Sequence, residues 1–175
     1  MKKTAGSLLF FLVVNLSFGQ SFYFPDAWTG RWKGMLTVFT KSGSTTNLEM
    51  NLILEKTARP NEYSFIIVYK QGEKEDIRNY TLLKDTANAG HFITDEHNSI
   101  RINDYLFGST LISQFIVEGQ LLTALYRFER NKIDFTILST NAVPNGTSGG
   151  KENIPVVKDF EIMSYQNAIL ERVKQ

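Results

Sequence analysis

The chain of 175 residues contains no cysteine. That absence removes disulfides, thiol nucleophiles, Cys-ligated zinc and thiolate haem ligation together. It also leaves no site for lipid attachment. Small exported domains commonly rely on disulfides, so stability here has to come from a hydrophobic core. Histidine occurs twice, at His91 and His97, and proline four times. Neither charge dominates: 19 Lys+Arg against 18 Asp+Glu give +1, a balance that turns to −1 without Lys2 and Lys3. A nucleic-acid binder needs a basic face to displace phosphate counterions, so near-neutrality argues against that class. There is no Gly-x-Ser-x-Gly elbow, no phosphate loop and no His-Glu-x-x-His.

Long apolar runs are missing apart from one near the start. Lys2 and Lys3 precede the apolar Leu8 to Val14, and small or polar residues follow at Ser17, Gly19 and Gln20. This three-part pattern predicts a cleavable signal peptide over residues 1–20, and so a periplasmic or secreted protein. The run is well short of the ~20 residues that span a bilayer, so no transmembrane segment is expected in the mature chain. Residues 21–175 suit one domain that can bury a sizeable core.

What is present is period-two alternation. In Trp28 to Phe39, Trp32, Gly34, Leu36 and Val38 fall on one side, and Arg31, Lys33 and Thr37 on the other, as in a half-buried strand. Gly30 and Gly34 bracket Trp32 and are expected to make room for its ring. Leu48, Met50, Leu52 and Leu54 alternate strictly, which favours a strand over a helix. Tyr63 to Gln71 is apolar on both faces, with Phe65 and Ile67 opposed to Ile66 and Val68. Ile77 to Lys84, His91 to Thr94 and Ser99 to Leu106 follow as strands. Thr110 to Val117, Leu121 to Glu129 and Ile133 to Thr140 then form a run joined by hairpin-length turns. Asn141 to Pro155 is rich in Gly, Ser, Asn and Pro and reads as a loop. Val156 to Met163 resumes the alternation, and Ser164 to Val173 extends it or forms a short helix.

The expected fold class is therefore all-β, an antiparallel up-and-down β-barrel of about 8–10 strands. Closure would place the strand beginning near Val156 beside Trp32, removing both sheet edges. A Gly-x-Trp motif, here Gly30-Arg31-Trp32, opening an all-β chain of this length resembles the lipocalin-like (calycin) superfamily. With the later hairpin pattern, the likeness extends over roughly residues 26–175 to the small exported barrels of bacteria. The resemblance implies that the lead-in crosses one end of the barrel, where Phe22, Phe24 and Trp28 either plug the base or cover a seam. It also implies an arginine of the closing segment lying over the opening tryptophan. Arg172 is the best placed match to Trp32, the other reading being an exposed arginine near a frayed terminus. Some lipocalin-like barrels bind haem through a histidine near the chain end, and no histidine follows His97.

His91, Asp95 and His97 straddle a turn and match no compact ligand pattern, so solvated hairpin residues are the better reading than a metal site. No metal or cofactor is implied. The positive case is for an interior cavity, with Trp32, Phe65, Ser113, Phe115, Tyr126, Phe128 and Phe135 on inward faces, and Ser139 joining them if its strand stays regular. The apolar members are ordinarily plain core. Ser113 and Tyr126 say more, because a hydroxyl turned into an apolar interior needs water or a ligand to satisfy it. Three functions follow in order. The first is a barrel binding a small hydrophobic or amphipathic molecule without chemistry. The second is a filled barrel that docks a protein partner of the cell envelope through an outward apolar set, Met35, Phe39, Ile66 and Val68. The third is a hydrolase or isomerase with an acid/base pair in the cavity.

Overall fold

The computed structural model describes residues 23–174; the expected signal peptide and Phe22 lie outside the described residues. A short 3-10 turn, Asp26–Trp28, leads into ten strands: β1 (Gly30–Thr40), β2 (Thr45–Lys56), β3 (Glu62–Gln71), β4 (Lys74–Lys84), β5 (His91–Asp95), β6 (Arg101–Phe107), β7 (Thr110–Val117), β8 (Gln120–Glu129), β9 (Lys132–Gly149) and β10 (Val156–Arg172). Every strand pairs antiparallel with its sequence neighbours, and β10 closes on β1 to complete a barrel. Two-residue turns join several hairpins. At Glu118-Gly119 both residues have positive φ, +48° and +78°, the geometry whose twist suits a tight hairpin.

Alternation divides each strand between interior and solvent. Leu48, Met50, Leu52 and Leu54 point inward, as do Phe65 and Ile67, while Ile66 and Val68 are half-buried on the outer face. The helical alternatives for the segments at Leu48 and Ser164 lose to these ladders.

Expectation and structure part at residues 141–149. Instead of a loop, β9 continues to Gly149 and pairs with β10 through Val156↔Gly149, Lys158↔Thr147 and Phe160↔Pro144. The segment is composed of poor strand formers, but a ready partner strand supplies its ladder. Register shifts between Asp159 and Ser164 absorb Pro144, which cannot donate to a ladder. The result is a two-stranded ribbon standing beyond the barrel wall. β8 accompanies β9 only as far as Gln120↔Asn141, and β1 accompanies β10 only to Thr40↔Ser164.

The base of the barrel is sealed by the lead-in. Phe24 stacks on Phe128 at 4.6 Å and meets Phe92 edge-on at 5.0 Å, and Trp28 lies 5.2 Å from Phe128 and 5.8 Å from Trp32. Phe24 and Trp28 thus plug the base. The Trp32 indole is fully buried and donates from Nε1 to the Trp28 carbonyl at 3.0 Å. Arg172 stands opposite Trp32 across the closing seam, its Cζ 4.2 Å from the ring centroid. Its Nη1 donates to the Thr29 carbonyl at 2.6 Å and its Nη2 to the Ala27 carbonyl at 3.1 Å. A further latch holds Asp26, which accepts from the Tyr63 hydroxyl at 2.5 Å and pairs with Lys56 at 3.2 Å. Burial, reinforced by Asp26, pushes the Tyr63 hydroxyl up to about 12.

The two glycines of the opening strand make room for the closing strand rather than for the indole. A Cβ on Gly34 would fall 2.2 Å from the Ile169 carbonyl oxygen, and one on Gly30, whose φ is +132°, would fall 2.8 Å from Arg172 Nη1.

Replacing Arg172 with alanine removes the ring contact and both carbonyl bonds. Unfolding free energy is expected to drop by about 1–3 kcal/mol, read from urea midpoints, with tryptophan emission moving to the red as the base admits water. Lysine at this position should recover only part, since one ammonium cannot cover the ring and reach two carbonyls together.

Candidate functional site

Above the sealed base the interior is hollow. The cavity has a volume of about 1240 Å³ and opens at the end of the barrel from which the ribbon projects. Pockets for small molecules are commonly of this kind, apolar walls with a few converging polar groups. Leu36, Val38 and Leu48 form one wall, and Phe115, Leu122 and Ile137 another. These side chains face inward because each follows the buried parity of its strand.

The polar groups gather on β3 to β8. Asp104 of β6 is 3 % exposed, with the apolar Ile102 and Leu106 on the same inward face. Thr94 of β5 donates its hydroxyl to Asp104 Oδ2 at 2.7 Å. Ser113 of β7 is paired with Asp104 across the ladder. Burial pushes the Asp104 carboxyl up to about 6; hydrogen bonds from Thr94 and Ser113 and the charge on His91 oppose that rise without cancelling it. Tyr126 and Tyr69 complete the group. Burial drives both hydroxyls well above the usual tyrosine range, helped by neighbouring ionisable groups, so they stay protonated. Neither hydroxyl makes a hydrogen bond to another described residue.

Much of the charge at the mouth is compensated locally. Arg78 donates to Asp76 Oδ2 from Nε at 3.0 Å and from Nη2 at 2.8 Å, Arg101 pairs with Asp95 at 2.9 Å, and Lys70 with Glu75 at 3.7 Å. No such cation partners Asp104 among the described residues.

Of the residues expected to line a cavity, Phe65, Ser113, Phe115 and Tyr126 do so. Trp32, Phe128 and Phe135 also point inward but stand outside its lining. Trp32 and Phe128 belong to the aromatic seal, and Phe135 is fully buried 4.9 Å behind Tyr126. Ser139 is buried and donates to Gln120 Oε1 at 2.6 Å. Sequence reasoning missed Asp104 and Thr94. The signal was there for Asp104, since Ile102-x-Asp104-x-Leu106 puts an acid on an apolar face.

The histidines are placed apart and are not solvated hairpin residues in the same sense. His91 is held by Asp85 Oδ2 at 2.7 Å and Asn103 Oδ1 at 3.0 Å and stacks on Tyr105 at 5.2 Å. His97 meets Thr81 Oγ1 at 2.9 Å at the surface. Among the described residues no group of three His, Cys, Asp or Glu converges as a metal site would require.

Asp104 also carries a stability consequence. An unfolded chain loses this proton near 3.8 and the folded chain near 6, so its contribution favours the fold at low pH and is lost as pH rises through 6, a swing of about 3 kcal/mol. Asp104→Asn keeps the shape and cannot ionise. It is expected to raise stability at pH 7.5 by about 1–3 kcal/mol, and to leave it unchanged at pH 4. Urea titrations of both proteins at the two pH values check this. The His91–Asp85 contact also weakens with rising pH, and both proteins retain it.

No protein-family model and no curated protein matches the chain. Among solved structures, the S-type phycobiliprotein lyase CPES from Guillardia theta is similar with a TM-score of 0.60 and 6% identity, over 84% of this chain and 89% of that one. A protein of unknown function of the DUF3598 family from Nostoc punctiforme is similar with a TM-score of 0.54 and 12% identity, over 83% of this chain but 47% of that one. What is shared at such identities is the fold: an all-β, closed, ten-stranded antiparallel barrel similar to lipocalin-like folds.

Proposed function

We propose that this chain is an exported lipocalin-like barrel, periplasmic or secreted, that binds a small, largely apolar molecule in its interior and performs no chemistry on it. The observation that carries the reading is the cavity itself, about 1240 Å³ with apolar walls, a sealed base and hydroxyls left without protein partners. A scaffold with a filled interior would bury those hydroxyls against hydrogen-bonding neighbours. The leader pattern of residues 1–20 supports export. Catalysis by an acid/base pair is the weaker reading: of Asp104, Tyr69 and Tyr126, only Asp104 can accept a proton near neutral pH, because burial holds both tyrosines protonated.

Protein recovered from its own cell envelope under native conditions should carry an extractable apolar molecule, seen as added mass in native mass spectrometry. Ala124→Phe places a ring in the cavity wall. Uptake of Nile red should weaken by tenfold or more, while the far-UV spectrum stays that of the parent. Protein that always emerges empty and takes up no probe would count against the reading.

A second reading, docking of an envelope protein, draws on exposed apolar side chains. Met35 and Phe39 are exposed, but Ile66 and Val68 are half-buried, and Glu49 and Asn51 lie on the strand between β1 and β3. The larger exposed set is Phe39 with Tyr165, 6.2 Å apart, continuing into Phe160 and Ile162 of the ribbon. On this reading Phe39→Ser abolishes an in-cell crosslink to one partner without changing the melting temperature. An unaltered crosslinking pattern would remove it.

A further inference from the structure

We infer that the molecule held in the cavity is an amphipathic amine, a flexible apolar body ending in a protonated nitrogen that is seated against Asp104. This rests on the binding reading above and narrows it to one ligand chemistry. Among the described charges that line the cavity, Asp104 is the one that is buried without a counter-ion; Glu96 and Lys74 make no ion pair either, but Glu96 is half-buried and Lys74 exposed. Arg78, which also lines the wall, is already clasped by the Asp76 carboxylate, and Arg101 by Asp95. A carboxylate enclosed by apolar surface and hydroxyls is costly until a cation meets it. Thr94 and Ser113 give this carboxylate neutral hydroxyl donors but no positive charge.

The surrounding side chains suit the same end group. An ammonium has three donors and no acceptor. Asp104 offers an anionic acceptor, and the free hydroxyl oxygens of Tyr69 and Tyr126 offer neutral ones, while their rings add negative faces. Asp104 and Tyr69 are both felt by the Tyr126 hydroxyl, so the groups converge on one region of the cavity. A ligand carboxylate would instead meet Asp104 as a like charge and find Arg78 already committed, the unpaired cation of the lining, Lys74, being exposed at the tip of the β3–β4 hairpin.

Protonation of Asp104 should control the affinity. A primary alkylamine stays charged throughout the range concerned, so binding should be strongest above pH 6 and fall as the pH drops through it. The groups facing Asp104 are Thr94 on β5, Ser113 on β7, and Tyr69, Tyr80 and Tyr126 across the cavity, none of which changes charge between pH 5 and 7.5. His91 on β5 gains charge toward low pH and acts in the same direction, and Arg78 and Glu96 stand nearer the mouth.

The test compares three matched probes, dodecylamine, dodecanol and dodecanoate, by isothermal titration below their aggregation limits at pH 7.5 and 5. Dodecylamine is expected to bind about tenfold to hundredfold tighter than dodecanol at pH 7.5, as a charge-assisted hydrogen bond would give. Dodecanoate should be weakest. Asp104→Asn should abolish the preference and flatten its pH dependence, and Asp104→Glu should restore part of it. Equal binding of the three probes, or tightest binding of dodecanoate, overturns the inference while leaving a general apolar binder intact. If dodecanol and Nile red fail to bind as well, the binding reading falls and takes the inference with it. Should Asp104→Asn not fold, the order of the three probes on the unaltered protein decides alone.

Discussion

The contact between the two ends of the chain is the constraint on which the rest of the barrel depends. Arg172, 140 residues beyond Trp32, covers the indole and holds the carbonyls of Ala27 and Thr29, so one side chain binds the last strand, the first strand and the lead-in. A barrel of consecutive hairpins can gain most of its ladders locally, but its final ladder must be made across the full chain at the full cost of loop closure. Gly34 contributes by leaving the space that the Ile169 carbonyl fills. With the seam joined, Phe24 and Trp28 can stack on Phe128 and shut one end.

That asymmetry creates the site. Ten strands enclose more volume than the inward side chains fill, and the aromatic seal uses bulky rings at one end only. Toward the mouth the inward positions turn to Val38, Ala124, Ser113 and Gln166, and space remains. Polar groups are tolerated there because a hollow interior gives them something to face, whereas the packed base satisfies its own: the Trp32 indole nitrogen with the Trp28 carbonyl, the Tyr63 hydroxyl with Asp26.

Much of this was legible in the residues. The alternations in Leu48–Leu54 and in the three strands from Thr110 to Thr140 announced which side chains enter the barrel, and Gly30-Arg31-Trp32 announced where it begins. Depth within the barrel was not legible. Trp32 and Val38 share one face of β1, and Phe128 and Ala124 one face of β8, yet the first of each pair lies in the seal and the second at the cavity. Parity reports inside or outside and carries no coordinate along the barrel axis, which only register and closure supply. The ribbon was hidden for a related reason. Residues 141–149 have weak strand propensity of their own, and their conformation is set by the partner strand.

The ribbon also reintroduces what closure removes elsewhere. Past Ala142 on β9 and Met163 on β10 the backbone has no neighbour on its outer side, so two unpaired margins flank Val156, Val157 and Phe160. Such margins invite a foreign segment to add itself as an extra strand. Here the register shifts around Phe160, the ring of Pro144 and the charges of Lys158, Asp159 and Glu161 interrupt the regular spacing that an incoming strand would need. The same irregularities that let the ribbon leave the barrel therefore make its margins poor templates for a second copy of the molecule.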